Sequence, residues 1–338
     1  MDLERRKLLQ AGAALPLLGM PGWVWAQSSG FYKDKVVTLI VPGSSSGGHA
    51  RYTRMISPHV QKHLGARELR ATFMPGGGGL IGANNLWRAR PDGMTIALAS
   101  IPTLILAPIA GSPGAQFDPT QFVFLGRATA ELRVLMVGGK SQIKSIEDVT
   151  KLKRPFIYPS QGTDEDFYTM AVLADALDFK LKAVTGYEGN ADTELAVIKG
   201  DGDGHIMSWS QGEPAIKAGD KRPILTIGST RHPDYPNVPC VLDIVKGPKL
   251  AGIRAIVNTI ELHRSFIGPP KMEARAVAAF REAVKAGMHD PSLVEESKKN
   301  RMPIAPMDGA EQQKLVEDIA KASASIAPIL KAAVKEIQ

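Results

Sequence analysis

The chain has 338 residues, 44% hydrophobic and 22% charged, enough for a sizeable core and about two domains. Its formal net charge of +7 comes from 41 Lys and Arg against 34 Asp and Glu, interleaved along the chain. Without a clustered basic stretch this pattern excludes a nucleic-acid groove; it describes a solvated surface of mixed sign with a modest field favouring anionic ligands. The single cysteine, Cys240, excludes an intrachain disulfide and a Cys/His metal cluster, and suits a buried small apolar position.

The first elements concern export. Arg5, Arg6 and Lys7 precede a short apolar stretch over residues 8–20, and Val24 and Ala26 supply the −3 and −1 positions of a cleavage site after Ala26. Residues 1–26 read as a signal peptide whose apolar part is too short for a permanent anchor. Residues 4–10 also resemble a twin-arginine export signal, although the same Arg pair suits an ordinary basic n-region. No cysteine near the cleavage point offers a lipid anchor, and no later stretch has the length and apolarity of a membrane span. The expected product is a soluble periplasmic protein.

Residues 35–41 form a β-rich run bounded by Pro42 and Gly43. A helix follows with Ala50, Ile56, Val60 and Leu64 on one face, a kink at Pro58 and a stop at Gly65. A second strand over 69–74 leads into Gly76, Gly77, Gly78 and Gly79, then a helix over 80–90, a turn at 91–93 and a third strand over 95–99. This rhythm implies a parallel sheet with ligand loops at the C-terminal strand ends. Residues 124–137 read as a long extended crossing segment. A second α/β series has strands over 156–158, 180–184, 205–209 and 224–228, and helices over 164–178 and 192–199. A return strand falls near 265–267, and two or three helices end the chain, one with Val277, Phe280, Val284 and Met288 on a face.

Two glycine-rich loops, 43–49 and 76–79, each follow a strand and precede a helix. Such loops let backbone N–H groups reach an anion at a helix N-terminus, and Ser44, Ser45 and Ser46 add hydroxyl donors. Tight turns explain either loop alone; two in consecutive units at one end of a sheet leave turn and binding site both open. Gly77, Gly79 and Gly82 match the spacing of a dinucleotide fingerprint, but residues 97–101 hold no acid for a ribose, so no cofactor is expected. Asp201 and Asp203 begin a calcium-like loop, yet His205 and Gly212 occupy later ligand positions. His59 and His63 lack a neighbouring Glu and a third ligand, and read as surface histidines rather than metal ligands. No nucleophile elbow or Cys/His pair is present. Asp164, Glu165 and Asp166 open a helix, where capping and dipole stabilisation account for them.

On these residues the sequence resembles the Bug-type solute receptors of tripartite tricarboxylate transporters over essentially the whole mature chain. The resemblance runs through residues 41–48 and the helix holding Arg54, then 74–84, 91–96, 184–189, 198–204 and 266–270, in order. It implies a type II periplasmic-binding-protein fold: two α/β lobes, 28–132 plus 264–338 and 133–263, joined by crossing strands that act as a hinge. It also implies a small organic carboxylate held in the cleft and handed to membrane permease subunits, by a monomer without enzymatic activity. The first-lobe contacts it implies are Ser45, Ser46, Gly47, Gly48 and His49, with Gly77, Gly78, Gly79 and Thr103. Those of the second lobe are Ser160, Gln161, Gly162 and Thr163, with Tyr187, Asn190 and Asp203 on the far side; Asp203 equally suits capping or orienting a loop. The chain departs from the family pattern at Ser44-Ser45, where Pro-Pro is frequent, at Ala50, where an Asp is frequent, and in its acids at 164–166. Acids facing the cleft would oppose a dianion unless neutralised or turned outward. A periplasmic sensor domain in place of the permease, and an exported enzyme on the same scaffold, are the competing functions.

Overall fold

The computed structural model describes residues 30–337; the expected signal peptide, its twin-arginine motif and the cleavage site at Ala26 lie outside the described residues. In chain order the elements are β1 (Val36–Val41), α1 (Gly48–Leu64), β2 (Glu68–Phe73), α2 (Leu80–Trp87), β3 (Thr95–Ser100), α3 (Ile101–Ile109) and β4 (Val123–Thr129). There follow β5 (Arg133–Gly138), α4 (Ile146–Thr150), β6 (Phe156–Pro159), α5 (Glu165–Leu177), β7 (Leu181–Val184), α6 (Asn190–Lys199), β8 (Gly204–Ser208), α7 (Trp209–Lys217), β9 (Lys221–Ile227), α8 (Val241–Ile244) and α9 (Leu250–Ile260). The chain then returns through β10 (Arg264–Gly268), α10 (Ala274–Met288), α11 (Pro291–Lys299), β11 (Met307–Asp308), α12 (Gly309–Ser323) and α13 (Ala327–Glu336).

The first sheet has six strands in the order β11-β4-β10-β3-β1-β2. Its β2-β1-β3 part is parallel, as the β-loop-α rhythm requires, while β10 is antiparallel to both β3 and β4. The second series makes an antiparallel sheet, β8-β5-β9, and a separate parallel pair, β6-β7. The extended segment at 124–137 is two strands in two different sheets, β4 and β5, broken at residues 130–132; the return crossing is residues 261–263, between α9 and β10.

One face of the six-stranded sheet buries Leu39, Tyr52, Ile56 and Phe266 against Phe280 of α10. The other face carries a core that runs without interruption from Ile40, Ile105 and Phe124 into Leu135, Phe167 and Ile206 of the second series. Helices α3, α5, α9, α12 and α13 form this shared layer. Helix α3 carries no sequence signal, because all of Ile101 through Ala107 is buried and no polar face marks a helical period. Helix α7 was obscured by Gly212 and Pro214. Gly212 lets Met136 pack close, since a side chain's first carbon would fall 2.6 Å from the Met136 methyl. Helix α1 runs on through Pro58, and four helices, not two or three, end the chain.

Candidate ligand-binding site

Strand direction determines what meets at the cleft. The parallel strands β1, β2 and β3 end on one rim, which places Pro42 to Ser44, Gly47 to His49, Pro75 to Gly79 and Ser100 together. Because β10 runs antiparallel to β3, its first residue, Arg264, pairs with Ser100 on the same rim. The antiparallel second sheet likewise brings Arg133, the first residue of β5, beside Ser208 at the end of β8. The loops after β6 and β7 add Gln161, Asp164 to Asp166, Gly186 to Glu188 and Asn190. Between these two walls lies a cavity of about 480 Å³, a size suited to a small ligand.

Of the residues expected from sequence, Gly47, Gly48, His49, Gly77, Gly78, Gly79, Gln161, Tyr187 and Asn190 line this cavity. The others are placed differently. Ser45 and Ser46 are exposed, and the Ser45 carbonyl accepts a 2.6 Å bond from Arg54; Ser44 lines the cavity in their stead. Thr103 is buried, donating from its hydroxyl to Glu165 Oε2 at 2.6 Å and accepting the Glu165 N–H at 3.1 Å. The Ser160 hydroxyl is turned onto the Gly162 carbonyl at 2.8 Å. Gly162 and Thr163 do not line the cavity, because the Thr163-Asp164 backbone packs directly on Gly78. Asp203 takes its loop-orienting role: it clasps Arg154 at 2.5 and 2.7 Å and accepts the Ile157 N–H at 2.8 Å, fixing the start of β6. His59 and His63 lie against Asp290 on α11's N-terminal side, and no metal-ligating group of three or more occurs among the described residues. Cys240 is buried, its thiol on the Gly228 carbonyl.

The first wall is built to receive an anion. Helices α1 and α2 begin at Gly47 and Gly79, and α6, across the cleft, begins at Gly189 beside Ser44; none has a side-chain cap among the described residues. The first N–H groups of α1 and α6 are therefore free to donate, whereas at the start of α2 the Gly76 carbonyl already accepts the Gly79 N–H at 3.0 Å and the Gly77 carbonyl accepts that of Leu80; each bare helix N-terminus favours an anion by ~0.3–1 kcal/mol. Gly76 to Gly79 all have positive φ, a conformation adopted at little cost only by glycine.

The second wall carries charge. Arg133 is fully buried and grips Asp166 with two bonds, one of 2.9 Å from Nε to Oδ1. Its other nitrogen donates to Ser208 at 2.8 Å, and Glu165 lies 3.8 Å away. Facing it from the first rim, Arg264 is also buried, pairs with Glu131 at 3.3 Å and lies over the Tyr52 ring at 4.5 Å; its Nε has no hydrogen-bond partner among the described residues. His263 sits between the two guanidiniums, 3.2 Å from Arg133 and 3.1 Å from Arg264. Burial first, then those two cations, hold its pKa far below the usual imidazole value. His49 is likewise lowered to about 3, by burial and then Arg264, and is neutral at pH 7. Burial, and then Asp166 and Glu165, push the Asp164 carboxyl well up. Asp164 caps α5 by accepting the Phe167 N–H at 2.9 Å, as its sequence position suggested, but Glu165 and Asp166 serve the cavity wall rather than a cap.

The walls touch. A side chain's first carbon at Gly78 would come within 2.7 Å of the Thr163 carbonyl carbon and the Asp164 nitrogen, and at Gly48 within 2.7 Å of the Gln211 side chain. This is the closed arrangement of a cleft.

Two α/β lobes joined by two crossings, with a cavity between their facing rims, define a two-lobed binding protein of the periplasmic kind. The family model described as "Tripartite tricarboxylate transporter family receptor" matches residues 53–332, and the chain belongs to that family. It is 23% identical over 305 residues, 87% of this chain and 86% of the relative, to the "UPF0065 protein in gbd 5'region" of Cupriavidus necator. Among solved structures it is similar to the periplasmic binding protein BugD, with TM-score 0.74 at 19% identity over 89% of this chain and 98% of that one. It is similar also to MatC of Rhodopseudomonas palustris with bound malate, with TM-score 0.73 at 17% identity over 86% and 98% of the two chains. No helix among the described residues is long and apolar enough to cross a membrane.

Proposed function

We propose that the protein is an exported periplasmic receptor that captures one small organic carboxylate between its lobes and delivers it to the membrane permease of a tripartite transporter. In this reading residues 1–26 direct export, the lobes are 28–132 plus 264–338 and 133–263, and the chain acts without catalysing a reaction. The observation that carries it is the convergence of uncapped helix starts and glycine loops on one cavity whose walls come from both lobes. A ligand touching both walls binds the closed state selectively, and closure follows from that differential affinity. The permease then reads the closed form. Malate in MatC and adipate in another Rhodopseudomonas palustris protein of similar structure support the choice of a carboxylate.

A thermal-shift screen of the purified protein against mono- and dicarboxylates, amino acids and neutral controls tests this. A ligand bound only by the native state raises the melting temperature once its concentration exceeds its Kd. A rise confined to one group of acids is expected. No rise with any carboxylate, in folded protein freed of carried-over ligand, would refute it.

A further inference from the structure

We propose that the ligand is a zwitterion: one carboxylate on the first wall and a protonated amine facing Asp164, Glu165 and Glu188 on the second. This rests on the receptor reading above and narrows it.

The first wall supplies donors and no acid: glycine N–H groups, the Ser44 hydroxyl and the unpartnered Nε of Arg264, a side chain only 1% exposed. One carboxylate is provided for there. The second wall has no free cation for another, and its bare helix start is that of α6, beside Ser44 at the mouth. Its cation, Arg133, is bound by Asp166, and Arg264 is bound by Glu131. Those two pairs cancel, which leaves Asp164 and, at the exposed mouth, Glu188 without a matching cation among the residues lining the cavity, and Glu165 sharing the already paired Arg133 at 3.8 Å. The neutral His49 adds none. Helix α5 points its N-terminus at this wall, but Asp164 already occupies it, filling with the chain's own carboxylate the position a second ligand carboxylate would use. A dicarboxylate would thus bring a second negative charge beside buried carboxyls that already oppose one another's ionisation, where water screens poorly. An ammonium would supply the missing countercharge and donate hydrogen bonds to the same oxygens. The upward pressure on the Asp164 carboxyl comes from burial and then from the neighbouring acids, and an amine there would relieve the second cause.

The test is calorimetric titration of the full protein at pH 7 with matched probes. β-Alanine, 4-aminobutanoate, 5-aminopentanoate and the common α-amino acids are set against succinate, glutarate and adipate, and against butanoate, pentanoate and hexanoate. The expected result is that the tightest ligand is an amino acid, bound at least tenfold more tightly than any dicarboxylate or amine-free acid. Asp164→Asn keeps an oxygen to cap α5, and Glu188→Gln lies at the exposed mouth. Each should weaken amino-acid binding severalfold while leaving dicarboxylate binding equal or stronger. A dicarboxylate or amine-free acid as the tightest ligand would overturn the zwitterion and leave the carboxylate receptor standing. Absence of binding by every acid would overturn both.

Discussion

The two walls of the cavity are made of opposite materials. The first is backbone: glycine loops and bare helix starts that offer N–H groups at low desolvation cost. The second is side chain: buried carboxylates and guanidiniums locked together, whose burial costs several kcal/mol per ion unless each keeps its partner. A backbone wall gives position and shape with little dependence on pH. A charged wall gives selectivity and is sensitive to every change in its ion balance. In the proposed receptor, position comes from one wall and discrimination from the other, and the contrast can be broken at either side.

The largest effect is expected at Arg133. Replacing it by Met strands Asp166 and Glu165 in the interior and should destabilise the protein by about 3–5 kcal/mol, measured by urea unfolding. Adding Asp166→Leu to that variant should restore much of the loss, because burying a matched apolar pair is often neutral or better. On the other wall, Gly78→Val forces a branched side chain into positive φ and against the Thr163-Asp164 backbone. Closure should be blocked and affinity fall at least a hundredfold, about 2.7 kcal/mol. The ligand-free melting temperature should change little by comparison. Unchanged affinity in a folded variant would remove Gly78 from the site.

A smaller effect follows from Asp164. Its folded pKa is raised, so the native state holds that proton after the unfolded chain has released it. The associated stability is present below the unfolded carboxylate value, about 3.9, and is lost as pH rises through the folded value. Asp164→Asn should flatten that decline in a pH series of melting curves. The smallest effect is at Asp203, which braces Arg154 and β6 outside the cavity. Asp203→Ala should cost about 1 kcal/mol of stability and leave ligand affinity unaltered in calorimetry.

What was legible in the sequence was local. Strands β1, β2 and β3, the two glycine loops and the start of α5 are each written in contiguous residues, and all the expected glycines of the first wall line the cavity. Arg133 and Arg264 escaped because nothing beside them in the chain marks them. They reach the rim through antiparallel pairing of β5 and β10, whose N-terminal ends lie where the parallel strands terminate. The hydroxyl of Thr103, and that of Ser160 from the family resemblance, are spent by the fold on Glu165 and Gly162. Helix α9 carried its signal in Ile253, Ile256, Val257 and Ile260, a clear amphipathic stripe that was passed over.

A ligand-bound crystal structure tests the central claim most directly. The account predicts a carboxylate of the ligand about 3 Å from backbone N–H groups at Gly48, His49, Gly77 and Gly78, with Gly78 still packed on Thr163. A carboxylate seated elsewhere, with those amides facing only solvent, would contradict it.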